Sequence, residues 1–82
     1  MPIMLTLINI KKGKNVIEAE YYNEDEKDKL YYIKIDILSG EIVTLKKPNA
    51  SIYGAASRHA RRALIELAKL DSMPQKHTVI WY

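Results

Sequence analysis

The alternation of apolar and polar positions is sharpest in Leu30–Ile37 (LYYIKIDI). Tyr31, Ile33, Ile35 and Ile37 share one side there, with Tyr32, Lys34 and Asp36 on the other. A period of two is the signature of a half-buried strand. Val16–Tyr22 (VIEAEYY) repeats it, with Ile17, Ala19 and Tyr21 opposed to Glu18 and Glu20. Met4–Ile10 (MLTLINI) alternates weakly but is β-branched enough for a strand. Glu41–Lys47 (EIVTLKK) places Val43 and Leu45 on a common side, and His77–Tyr82 (HTVIWY) is strongly β-prone. The period changes over residues 51–70. At 100° per residue, Ile52, Ala56, Ala60, Ala63, Leu64, Leu67 and Leu70 form one face, with Tyr53 at its edge. The pattern predicts the order β-β-β-β-α-β: an α+β fold with a four- to five-stranded antiparallel meander and one amphipathic helix packed on one face.

The connections support that order. Lys11–Asn15 contains Gly13 and Asn15, residues that tolerate positive φ, and reads as a turn. Asn23–Lys29 has no apolar residue and reads as an exposed loop. Between the third and fourth strands, a two-residue Ser39-Gly40 loop would set Ile35 opposite Thr44 and mismatch the faces. A three-residue loop, Leu38-Ser39-Gly40, sets Ile35 opposite Val43 and Ile33 opposite Leu45. Gly40 then takes the left-handed position of a bulged turn, and Asp36 accepts from the turn amides. Pro48 ends the fourth strand, Asn49 or Ser51 caps the helix, and Gly54 weakens its first turn. Pro74 cannot continue the helix, which should end near Leu70. Ile33, Ile35, Val43 and Leu45 are expected to face Ala56, Ala60, Ala63 and Leu67.

Eighty-two residues make a single small domain, taken as residues 1–82. The chain has no cysteine, which removes the disulfide-scaffold class and thiolate metal sites. No apolar run approaches the roughly 20 residues of a membrane span. The N-terminus lacks the basic start of a signal peptide. A cytoplasmic protein with no membrane association is expected.

Charge changes the picture more than composition does. Residues 1–41 hold 6 Lys/Arg and 8 Asp/Glu, a net of −2; residues 42–82 hold 7 and 2, a net of +5. The basic half contains the helix. Arg58, Arg62 and Lys69 fall together on its polar face, with Arg61 and Ile65 beside them. Lys46 and Lys47 come just before it in the chain. Arginine matches phosphate oxygens bidentately, and a helix N-terminus favours anions. These six cations are the candidate nucleic-acid contacts, set against the alternative of a solvated helix face salted by Glu66.

The remaining chemistry is sparse. His59 borders the apolar helix face and His77 opens the last strand, and no serine, threonine or acid is marked as the partner of either. Glu24, Asp25, Glu26 and Asp28 lack the spacing and central glycine of a calcium loop, and read as a solvated hairpin tip. No metal, cofactor or phosphate-loop motif is present. The doublets Tyr21-Tyr22 and Tyr31-Tyr32 put one tyrosine of each pair on the outer side of the sheet, as a stacking or protein-binding patch, or else form a cross-strand aromatic pair that steadies the hairpin.

KIDILSGEIVTLKK…ASRHARRALIEL resembles in outline the end of a double-stranded-RNA-binding domain, which runs hairpin, basic loop and a helix of alternating Ala and Arg/Lys. The likeness is compositional and covers about half the chain. No helix precedes the strands, the Gly-Pro-His loop and the Lys-Lys-x-x-Ala-Lys helix entry are missing, and a strand follows the helix. Membership in that family is not implied.

Two functions compete. One is a small non-enzymatic nucleic-acid-binding or regulatory module that contacts phosphates, with little sequence preference, through Arg58, Arg61, Arg62, Lys69, Lys46 and Lys47. The other is a protein-interaction module, a small inhibitor or accessory subunit, using a sheet edge or a patch of Tyr22, Tyr32 and Trp81. The apolar final strand also invites self-association as a homodimer.

Overall fold

The computed structural model describes residues 3–47 and 56–81. Strands β1 (Ile3–Lys12), β2 (Val16–Asn23), β3 (Tyr31–Asp36) and β4 (Ile42–Lys46) precede helix α1 (Ala56–Leu67), and β5 (Lys76–Trp81) follows it. They form one open antiparallel sheet in the order β4-β3-β2-β1-β5. The first four strands are the expected meander. The fifth lies beyond β1, so the chain leaves one edge of the sheet at β4 and returns at the other, and α1 belongs to that crossover.

Period-two faces place the core. Leu5, Leu7, Ile17, Ala19, Tyr21, Tyr31, Ile33 and Ile35 are all buried on one side of the sheet. Ala56, Ala60, Ala63, Leu64 and Leu67 of α1 are buried against them. The three alanines have no side chain beyond Cβ to hold the helix off, so α1 lies close over β1, β2 and β3 and reaches β5. Tyr21 and Tyr31, opposite each other across β2 and β3, are stacked with centroids 4.8 Å apart and planes 11° apart. The doublets therefore form the cross-strand pair on the covered side.

Two bulges depart from simple alternation. In β1, Ile8 pairs with Glu20 but Lys11 pairs with Glu18, so one extra residue enters β1. Asn9 sits there with φ 52°, a left-handed conformation that asparagine accepts more readily than other side chains do. Its Nδ2 donates to Glu20 Oε1 at 2.6 Å. The extra residue resets the phase: Leu5 and Leu7 point to the core before it and Ile10 after it. This is why the segment alternates only weakly in sequence. It also carries β1 through Lys11 and Lys12, expected in the turn, and confines the turn to Gly13–Asn15.

The second bulge corrects the β3–β4 register. Ile33 is opposite Leu45, as expected, but Ile35 is opposite Ile42 rather than Val43. The loop is four residues long, Ile37–Gly40, closed by Asp36 N donating to Glu41 O and Gly40 N donating to Asp36 O. Gly40 has the anticipated left-handed φ of 75°, and Asp36 Oδ1 accepts from the amides of Leu38 and Ser39. Val43 becomes the unpaired residue of the bulge and is 56% exposed instead of facing the helix. It lies on the edge strand, beyond the reach of α1.

The helix ends sooner than expected. After Leu67 the chain tightens, with Lys69 N donating to Glu66 O and Leu70 N to Leu67 O. Leu70 thereby leaves the apolar face and is 47% exposed. The expectations for Pro48, Asn49, Ser51, Ile52, Tyr53 and Gly54 lie outside the described residues.

Candidate nucleic-acid interface

The basic residues separate once the chain is folded. Arg58 and Arg62 are one turn apart on the exposed side of α1 and take part in no salt bridge among the described residues. Arg61 leans the other way. Its Nε donates to the Gly40 carbonyl, so this guanidinium ties the helix to the β3–β4 turn, where Ile65 also packs. Lys69 faces Glu66 at 3.4 Å, both side chains largely exposed. Such a pair contributes little and yields readily to another anion. Lys46 is on the opposite side of the sheet from the helix. It is opposite Tyr32, and its ammonium sits 5.5 Å from the ring centroid of that tyrosine. Lys47 is exposed just past β4. The six cations thus do not form one cluster; Arg58 and Arg62 share the exposed helix face, Lys69 lies in the turn past the end of α1, and Arg61 and Lys46 are engaged elsewhere.

Folding adds two residues that the sequence did not join to the arginines. A cleft of about 310 Å³ runs between α1 and β5, lined by His59, Arg62 and Glu66 from the helix and His77, Val79 and Ile80 from the strand. His77 is opposite Leu7 on the covered side, which points it toward the helix. Seventeen residues separate the two histidines, and only the antiparallel return of β5 brings them to one cleft. Burial lowers the pKa of His59, and Arg62 and Arg58 lower it further. Burial is the larger cause, and the two arginines add positive charge beside the ring. Among the described residues no group of three or more metal-ligating side chains comes together. A larger cleft of about 560 Å³ lies between Ile8–Ile10 and Met73–Lys76, with Lys76 its only ionisable residue.

The tyrosine patch is less open than expected. Tyr22 and Tyr32 are on the uncovered face, but both are half-buried. The Tyr32 hydroxyl donates to Glu18 Oε2 at 2.6 Å and Lys46 covers part of its ring. Trp81 is placed opposite Ile3; its side chain is outside those described.

The acidic hairpin tip is also more structured than a solvated loop. Glu24–Glu26 form a single 3-10 turn. Glu24 Oε1 accepts from Thr6 Oγ1 at 2.6 Å, a bond that lowers its pKa. Glu26 pairs with Lys29 at 3.0 Å. Its other oxygen is buried without a partner among the described residues, as are both polar atoms of the Asn23 side chain and the hydroxyls of Tyr21 and Tyr31. Burial raises the pKa of both tyrosines, which keeps them protonated.

No described helix is long and apolar enough to cross a membrane. In comparison with known proteins, the chain matches no family model, no curated protein and no solved structure.

Proposed function

We propose that the protein is a non-enzymatic module that binds the phosphate backbone of nucleic acid along the exposed flank of α1. Arg58 and Arg62 would make the principal contacts, with Lys69 extending the stripe and His59 and His77 lining its border. One observation supports this above the others: two neighbouring guanidinium groups project from the exposed side of the helix, form no salt bridge among the described residues, and add to burial in lowering the pKa of His59. Arginine on a helix offers fixed, bidentate donors, the geometry that suits phosphate oxygens. Backbone contacts of this kind position a protein without reading bases, so sequence preference should be weak.

Titration with short single- and double-stranded DNA and RNA at about 50 mM salt tests the reading, since each neutralised phosphate releases counterions and steepens the salt dependence. Binding that falls steeply with salt, and an Arg58→Ala/Arg62→Ala variant that binds more weakly with a flatter slope and an unchanged melting temperature, supports it. Dissociation constants no tighter than about 10⁻⁴ M for every probe overturn it. Docking of an unrelated protein through Tyr22 and Tyr32 has less in its favour, because Glu18 and Lys46 already occupy the polar end and one face of the Tyr32 ring.

A further inference from the structure

The two edges of the sheet are not equivalent. At β4, Val43 bulges out of the ladder and Lys46 and Lys47 crowd one end. Bulges and lysines are the devices by which an edge strand resists pairing with another strand. At β5 neither device is present beyond the first residue. Its six residues run against β1 from Lys76 to Trp81 with no shift in register, and Lys76 is their one charged side chain. On the uncovered face, Ile80 is 54% exposed and Met4, its partner across β1 and β5, is 37% exposed.

We infer that β5 pairs with β5 of a second copy of this chain, antiparallel and about a two-fold axis at Val79, to make a continuous ten-stranded sheet. The charge pattern selects this occupant. An antiparallel pair centred on Val79 sets Ile80 opposite Thr78 of the second copy and holds the two Lys76 residues six positions apart, about 20 Å at 3.4 Å per residue. A parallel arrangement would align the lysines. Pairing β5 with the β4 edge of the next molecule, which would propagate into a filament, meets the bulge and two more lysines. The closed two-fold dimer is what remains. A shift of one residue would place core-facing side chains opposite uncovered ones, so the pairing that keeps the faces matched also puts both helices on one side of the joined sheet. Both Arg58/Arg62 stripes then lie on the same side. The dimer itself requires no nucleic acid.

Sedimentation equilibrium of the full chain without nucleic acid, over a concentration series, tests the inference. The expected mass approaches twice 9.5 kDa for the natural sequence and for Val43→Lys at the opposite edge. It falls to one chain for Ile80→Lys, whose circular dichroism should be unchanged. Amide hydrogen exchange gives an answer that needs no variant: outward-pointing amides of β5 should become protected as concentration rises, while those of β4 do not. A natural chain that stays at one copy throughout, a mass that grows beyond two copies, or protection that appears at β4 instead of β5 overturns the inference. Nucleic-acid binding by a monomeric Ile80→Lys variant would leave the helix-face reading standing by itself.

Discussion

The two faces of the sheet are built by different means. On the helix side, stability rests on shape: fourteen apolar residues are buried among those described, and α1 approaches through alanines. On the open side it rests on pairs of polar groups. Thr6 donates to Glu24, Asn9 to Glu20 and Tyr32 to Glu18, while Lys46 sits over the Tyr32 ring. The first kind of face tolerates no change of volume; the second loses its contacts one at a time, each worth about 1 kcal/mol. Burial does not by itself mean satisfaction, either. The covered side holds the phenols of Tyr21 and Tyr31 without partners among the described residues, while the half-buried Tyr32 on the open side has one.

Ala60→Leu is the severest test of this contrast. Ala60 is fully buried beneath the helix, and a larger side chain must push α1 off the sheet, at a cost of about 1–3 kcal/mol. Chemical denaturation should register it as an earlier midpoint; an unchanged midpoint would mean that the helix packs through another face. Next in size are the tyrosines. Tyr32→Phe removes a hydrogen bond to a carboxylate and should cost about 1–2 kcal/mol. Tyr21→Phe removes a hydroxyl that has no partner among the described residues, and should leave stability unchanged or raise it by up to about 1 kcal/mol. Equal losses from both would erase the distinction drawn between the faces.

The smallest effect is a dependence on pH. The Thr6 hydrogen bond holds the Glu24 carboxyl below its ordinary value of 4.5. A lowered folded-state pKa contributes stability above that ordinary value, and the contribution is lost as pH falls through the lowered one. Thr6→Val should therefore be less stable than the natural chain at neutral pH, with the gap closing in acid. A gap that is constant with pH would show that the hydroxyl acts on something other than the carboxylate.

These contrasts follow what a linear reading can carry. The faces of β2 and β3 and the buried face of α1 from Ala56 to Leu67 were legible, because each rests on a short period within one element. Gly40 and Asp36 were legible because a turn is local. The bulges at Asn9 and Val43 were not, since each depends on how many residues the neighbouring strand supplies. In retrospect the spacing Leu5, Leu7, Ile10 was the signal at Asn9. The candidate interface was legible only in part. Arg58 and Arg62 belong to one helix and stay together, and Lys69, expected on the same helix, lies in the turn just past its end, whereas Lys46 and the arginines are divided by the thickness of the sheet. His77 comes to the helix flank by a pairing with β1 that nothing near residue 77 announces.

The bulge at Asn9 has a consequence for how changes in this chain should be interpreted. Because it inverts the phase of β1, the number of residues in that strand carries as much information as their identity. Every substitution at Asn9 leaves the count intact and keeps Ile10 aimed at the core. Removing the residue altogether would take the bulge out: Leu5, Leu7 and Ile10 would then alternate without a break and all three would still face the core. For this strand, an insertion or deletion and a substitution are different classes of event: the first changes the count that the bulge absorbs, the second does not.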